Sequence, residues 1–197
     1  MLKQPEITII TPTYKREKEL VNCIEQVKKQ KVKISFEHLI ISDGENLIIE
    51  NICKFYKIKY YNVERPLNID FTGGYAARDL GIKKAEGKYI CFFDDDNYYY
   101  ENALQIIYDN VKGFEIGICS IYYLKDNGNF EILPKNFNFI FELKNIDTLN
   151  FTVKTKLAKK ELWFQFEKYG DFHWINKINK ISNNKINYTN KIIGIHL

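Results

Sequence analysis

Along the first half of the chain the apolar positions switch repeatedly between two periods. Ile7 to Thr11 is a β-branched run closed by Pro12, which predicts a strand followed by a loop. Glu17 to Lys29 then spaces Leu20, Val21, Ile24 and Val27 along one helix face. His38 to Ser42 predicts a second buried strand, closed by the Asp43-Gly44 turn signal. Asn46 to Tyr56 predicts a helix with Leu47, Ile48, Ile52 and Phe55 inward, and Ile58 to Val63 a third strand. Gly74 to Ala85 predicts a helix of small residues with Gly87 as its C-cap, before a fourth strand from Tyr89 to Phe93. Ala103 to Val111 predicts a further helix and Ile116 to Tyr123 a fifth strand. Alternation of this kind specifies an α/β fold with a mostly parallel central sheet flanked by helices. Right-handed crossovers bring the ends of the first, second and fourth strands to one edge. Thr11 to Tyr14, Asp43 and Asp94 to Asp96 then share the crevice where such sheets bind ligands.

Beyond this the pattern is less regular. Asp126 to Phe151 predicts a hairpin or irregular insertion around the turn Asp126-Asn127-Gly128. Thr155 to Phe166 and Asp171 to Ile181 predict helices, and Ile186 to Ile195 one or two last strands. No repeat, linker or composition shift divides the chain, so residues 1–197 are expected to form one domain.

Composition narrows the chemistry. Hydrophobic residues at 45% and charged residues at 27% are ordinary for a soluble globular protein. A net charge of +4, spread along the chain, suits nucleotide diphosphates or an anionic membrane surface, and no motif supports nucleic-acid binding. Fourteen tyrosines and fourteen phenylalanines leave some aromatic surface for stacking on bases or sugars. Cys23, Cys53, Cys91 and Cys119 form no CxxC pair, so buried free thiols of a reducing compartment are expected. The N-terminus lacks the apolar core of a signal peptide, and no stretch is long enough for a membrane span. The expected location is the cytoplasm, with room for contact at the inner face of a membrane.

The chemistry concentrates in KYICFFDDDNYY, where an apolar strand runs into Asp94, Asp95 and Asp96. Adjacent carboxylates raise one another's pKa unless a cation sits among them. Hard oxygen donors of this kind suit Mg²⁺ or Mn²⁺, which in turn bridge phosphate oxygens. A solvated acidic turn that merely ends a strand is the alternative reading.

Four motifs in order settle the comparison: ITIITPTYKRE, LIISDGEN, GGYAARDLGIKKAEGKYICFFDDD and, more weakly, YGDFHWINKI. Together they resemble the family 2 glycosyltransferases, which have the nucleotide-sugar-binding GT-A fold. The third motif resembles the family's Ala-Arg-Asn-x-Gly segment and its Asp-x-Asp strand end, with Asp79 standing where the family usually has Asn. The fourth echoes a late Glu-Asp motif, with Gly170 in place of the Glu.

The resemblance implies a division of labour: residues 1–113 bind the nucleotide sugar and residues 114–197 the acceptor. Thr11, Pro12 and Tyr14 would surround base and ribose, and Asp43 would bond the base edge, as for a uracil. Asp43 also reads as an Asx turn before Gly44. Arg78 would grip the diphosphate, or instead pair with Asp79 or the acidic turn. Asp94 would face ribose or metal, Asp96 would ligate Mn²⁺ or Mg²⁺, Asp95 is left open, and His196 would complete the metal or diphosphate site unless it is a frayed terminus. Asp171 would deprotonate the acceptor hydroxyl of an inverting transfer, although a residue opening a helix also reads as an N-cap. His173 and Trp174 would line the acceptor site, a core tryptophan being the other reading.

The function implied is transfer of a sugar, from UDP by preference, to a glycan or lipid-linked glycan acceptor in bacterial surface polysaccharide assembly. A degenerate nucleotide-binding or scaffold protein of the same fold, without turnover, is the alternative. A sugar nucleotidyltransferase is disfavoured because TPTYKRE lacks the Gly-rich loop that holds a triphosphate.

Overall fold

The computed structural model describes residues 4–64, 74–139, 141–163, 169–183 and 185–197. The first half is built as the pattern predicts. Strand β1 (Ile7–Thr13) lies between β2 (Phe36–Asp43) and β4 (Tyr89–Phe92), and β3 (Lys59–Val63) flanks β2, all in parallel register. Helix α1 (Glu17–Lys28) connects β1 to β2, α2 (Leu47–Tyr56) connects β2 to β3, and α3 (Tyr75–Lys84) precedes β4. Alternation within the strands sorts the core. Ile10, Leu39, Ile41, Ile90 and Phe92 pack on one side with Ala77 and Ile82 of α3. Ile7, Ile9, Cys91 and Phe93 pack on the other with Cys23 and Val27 of α1. All four cysteines are buried free thiols.

The sheet then becomes mixed. Its order is β3-β2-β1-β4-β8-β6-β9-β5, with β7 paired to β6. The added elements are β5 (Tyr98–Tyr99), α4 (Ala103–Val111), β6 (Ile116–Leu124), β7 (Phe130–Leu133), β8 (Phe151–Lys154), α5 (Thr155–Ala158), α6 (Gly170–Ile181) and β9 (Ile186–His196). β8 runs antiparallel to both β4 and β6, while β6 and β9 run parallel. Among the described residues no helix is long and apolar enough to cross a membrane.

Four expectations are corrected, and two short strands were not expected. β1 does not stop at Pro12 but continues to Thr13, because β4 pairs with β1 only as far as Ile10 and leaves that flank open beyond it. Helix α2 buries Ile49 and Cys53, leaving Leu47, Ile48 and Phe55 exposed at 77%, 60% and 80%. Gly87 is not the cap of α3, which ends at Ala85; it sits where a Cβ would meet the Thr8 backbone nitrogen at 2.5 Å. The helix expected from Thr155 to Phe166 stops at Ala158; residues 164–166 lie outside the described ones. The short strands β5 and β8 carry no alternation that the sequence pattern could register.

Candidate functional site

The acidic turn leaves the sheet beside the end of β1, where the Phe93 N–H donates to the Ile10 carbonyl at 3.0 Å. The Tyr99 hydroxyl donates to the Asp94 carbonyl at 2.9 Å, and its ring stacks on Phe93 at 3.8 Å, so the turn's backbone is held from both sides. Arg78 Nη2 donates to one carboxylate oxygen of Asp94 at 2.7 Å. The other oxygen of Asp94 is buried with no hydrogen-bond partner among the described residues. Burial pushes the Asp94 carboxyl up against the pull of Arg78. Burial also lifts Asp95, 4% exposed, to about 6, with Thr13 and Arg16 opposing the rise. Arg16 donates to Asp95 at 3.2 Å and also to Asp96.

Arg78 reaches the turn from the first turn of α3. The helix is entered through Gly74 at φ 70°, and a Cβ there would meet the guanidinium at 2.8 Å. The guanidinium also lies over Trp163, 5.2 Å from the ring centre. Neighbouring Asp79 is buried and accepts the Trp163 N–H at 2.6 Å. This bond holds the segment after α5, and the amide oxygen of an Asn could accept it as well. Gly73, at the head of the small-residue run, lies outside the described residues.

Trp163 stacks on Trp174 at 4.5 Å, and Trp174 Nε1 donates to the Glu161 carbonyl at 3.1 Å. Trp174 is 1% exposed, so its ring is core that supports the floor of the site and does not present a face to an acceptor. His173, its neighbour, meets Phe172 edge-on at 5.3 Å.

Asp171 lies inside the first turn of α6, whose N-cap is Tyr169, so the cap reading is excluded. Burial and then the nearby Asp147 carboxylate raise Asp171 to about 6. Asp147 was missed at the sequence level. Its carboxylate accepts the Leu149 N–H at 3.0 Å, while Asn150 Oδ1 accepts the Asp147 N–H at 2.8 Å. The spacing Asp-Thr-Leu-Asn carries that capping signal, and a cap was all it announced.

The second oxygen of Asp147 faces His196 Nδ1 at 3.4 Å. Burial opposes the charge on both groups, and their mutual attraction outweighs it: Asp147 is held below the usual carboxylate range and His196 above the usual imidazole value. The His196 ring stacks on Tyr123 at 4.6 Å, and the next residue's N–H donates to Asn97 at 3.2 Å. The frayed-terminus reading of His196 is thereby excluded.

On the nucleotide side the pattern is divided. The Thr11 hydroxyl is buried within 2.8 Å of His38 Nε2, in the interior. Burial pushes His38 down to about 3, so this histidine is neutral. Pro12 lies against Gly74, next to Arg78. Tyr14 is 40% exposed with the Lys15 ammonium 5.1 Å from its ring centre. Asp43 is 5% exposed at the end of β2, where the Gly44 N–H donates to the Val63 carbonyl. Arg78, Asp94, Asp147, Asp171 and His196 thus form one coupled electrostatic cluster at the carboxyl edge of the sheet.

Among the described residues no three His, Cys, Asp or Glu side chains converge closely enough to hold a metal as they stand. The donor chemistry nevertheless fits a hard divalent cation, because Asp94 keeps a buried carboxylate oxygen without a hydrogen-bond partner among the described residues, beside the half-exposed Asp96.

A family profile described as Glycosyl transferase family 2 matches residues 8–177. Glycosyltransferase GlyG of Streptococcus pneumoniae is 31% identical over 140 residues, covering 69% of this chain and 46% of GlyG. The S. aureus TarS 1-349 structure in complex with UDP-GlcNAc superposes with a TM-score of 0.72 at 18% identity, over 96% of this chain and 58% of that one. The Pyrobaculum calidifontis mannosyltransferase PcManGT, in complex with GDP-Man and Mn²⁺, gives a TM-score of 0.72 at 12% identity, over 99% and 57%. The chain spans less than half the length of the curated relatives named first among its matches, from 15% to 46%. The fold is GT-A, and the chain belongs to glycosyltransferase family 2.

Proposed function

We propose that the chain transfers a sugar from a nucleoside-diphosphate sugar, UDP-linked, to a hydroxyl of a glycan or lipid-linked glycan acceptor during assembly of a bacterial surface polysaccharide. The observation that carries this reading is the convergence of Arg78, the acidic turn and a carboxyl raised to about 6, Asp171, in one cluster. TarS, solved with UDP-GlcNAc, supports the choice of nucleotide.

In this reading Tyr14 and Asp43 hold the base, with Thr11 and Pro12 shaping the strand end beneath it. Arg78 binds the diphosphate and stabilises the charge that develops there as the bond from C1 to the leaving oxygen breaks. Asp171 takes the proton of the attacking acceptor hydroxyl; its raised pKa matches a general base working near neutral pH. A single displacement of this kind inverts the anomeric centre. Asp96, Asp94 and His196 would hold the Mn²⁺ or Mg²⁺ ion, which supplies Lewis-acid neutralisation of the diphosphate. Asp147 holds the ring of His196. His173 stands next to the acceptor.

Calorimetric titration with UDP, GDP and CMP, with and without Mn²⁺, tests the reading. Metal-dependent binding of UDP that is lost in Asp96→Ala is the expected result. Absence of binding by all three nucleotides to folded protein would sink it in favour of a degenerate scaffold.

A further inference from the structure

Arg16 occupies a place that the helix it starts does not favour. It is the N-cap of α1, with φ −130° and ψ 57°, and makes no side-chain cap bond. Ser, Thr, Asp and Asn are the residues that satisfy helix N-termini, and a cation there opposes the helix dipole. The chain enters this position through Lys15 at φ 51°, an uncommon conformation for a side-chain-bearing residue. The Arg16 carbonyl is then fixed by the Leu20 N–H at 2.9 Å. What this placement accomplishes lies across the crevice. The Arg16 guanidinium donates to the buried Asp95 carboxylate at 3.2 Å and to the Asp96 carboxylate. Arg78 covers Asp94 from the other side. Two guanidinium groups therefore contact all three carboxylates of the turn and offset two of their three charges. Asp95, 4% exposed, would be costly to bury without such a partner.

We propose that Arg16 is the resident counter-cation of the donor site, and that a divalent cation loads by displacing it from Asp95 and Asp96. The inference rests on the reading that this turn binds a divalent cation. Asp96 cannot donate the same oxygen to a cation while Arg16 holds it. Arg78, 9% exposed at its side chain, stays in place, whereas the Arg16 side chain is 49% exposed and has solvent to move into.

The test is calorimetric titration with Mn²⁺ alone, without nucleotide, on the wild type, Arg16→Met, Arg16→Lys and Asp96→Asn. Removing the competing charge is expected to tighten Mn²⁺ binding by about threefold to tenfold in Arg16→Met. Arg16→Lys is expected to stay near the wild type, and Asp96→Asn to lose binding. Equal or weaker Mn²⁺ affinity in a folded Arg16→Met overturns the proposal while leaving the cation site standing. No Mn²⁺ binding by any of the four, even with UDP present, overturns the cation reading and the proposal together. A second measurement needs no variant: the guanidinium NMR signals of Arg16 in the wild type should change on adding Mg²⁺, and unchanged signals at saturating Mg²⁺ refute displacement.

Discussion

Burial that lifts the Asp171 carboxyl to about 6 suits a base but works against folding. In the unfolded chain an aspartate titrates near its ordinary 3.8. Between those values the folded state binds more protons than the unfolded state, so stability falls as pH rises through this window and stays lower above it. Asp171→Asn should therefore be more stable at pH 7, by on the order of 1–3 kcal/mol, while losing about 10²–10⁴-fold in transfer rate. Thermal melts at pH 4 and pH 7 check the sign, since the gain should disappear at the acid end. A variant equally stable and equally active at both pH values would remove Asp171 from the site. The same scale explains what the sequence hid. Asp94 and Arg78 advertise themselves through the company they keep. Asp147 has no such neighbours in sequence, and meets His196 because β8, which follows it, and β9, which carries His196, both pair with β6.

At the scale of elements, the strands were legible where apolar runs are long and bounded by turns, as for β1, β2 and β4. Helix α2 was legible as a helix but not in its orientation. Its apolar residues cover more than one face, and tertiary packing against Leu20 and Ile24 of α1 and Ile40 of β2 turns Ile49 and Cys53 inward, while Asn46 caps the helix by accepting from the N–H groups of Ile48 and Ile49. The stop of α5 at Ala158 was also hidden, because the segment beyond it is held by a tertiary bond from Trp163 to Asp79. Gly87 belongs to this scale too. Its N–H donates to the Thr8 hydroxyl at 2.9 Å, and its missing side chain lets the start of β4 lie against β1. Gly87→Ala should cost about 1–3 kcal/mol by overpacking against backbone that cannot yield. A urea midpoint within error of the wild type would contradict that account.

For the molecule as a whole, the mixed half of the sheet is what completes the site. The parallel half supplies Asp43, Arg78 and the acidic turn. Asp147, Asp171 and His196 arrive from the irregular connection before β8, from α6 and from the end of β9. Alternation of strand and helix made the first group readable, and the second depends on pairings between segments far apart in the chain, for which no local period exists. The chain contains two tryptophans, and both stand in one stacked pair beneath Arg78. All indole fluorescence of this chain therefore originates beneath Arg78, at the floor of the candidate site. Adding UDP with Mg²⁺ should change the emission of the unlabelled wild-type protein, and Trp163→Phe should abolish the change while Trp174 continues to emit. The molecule would thus report its own occupancy through its ultraviolet fluorescence, with nothing attached to it.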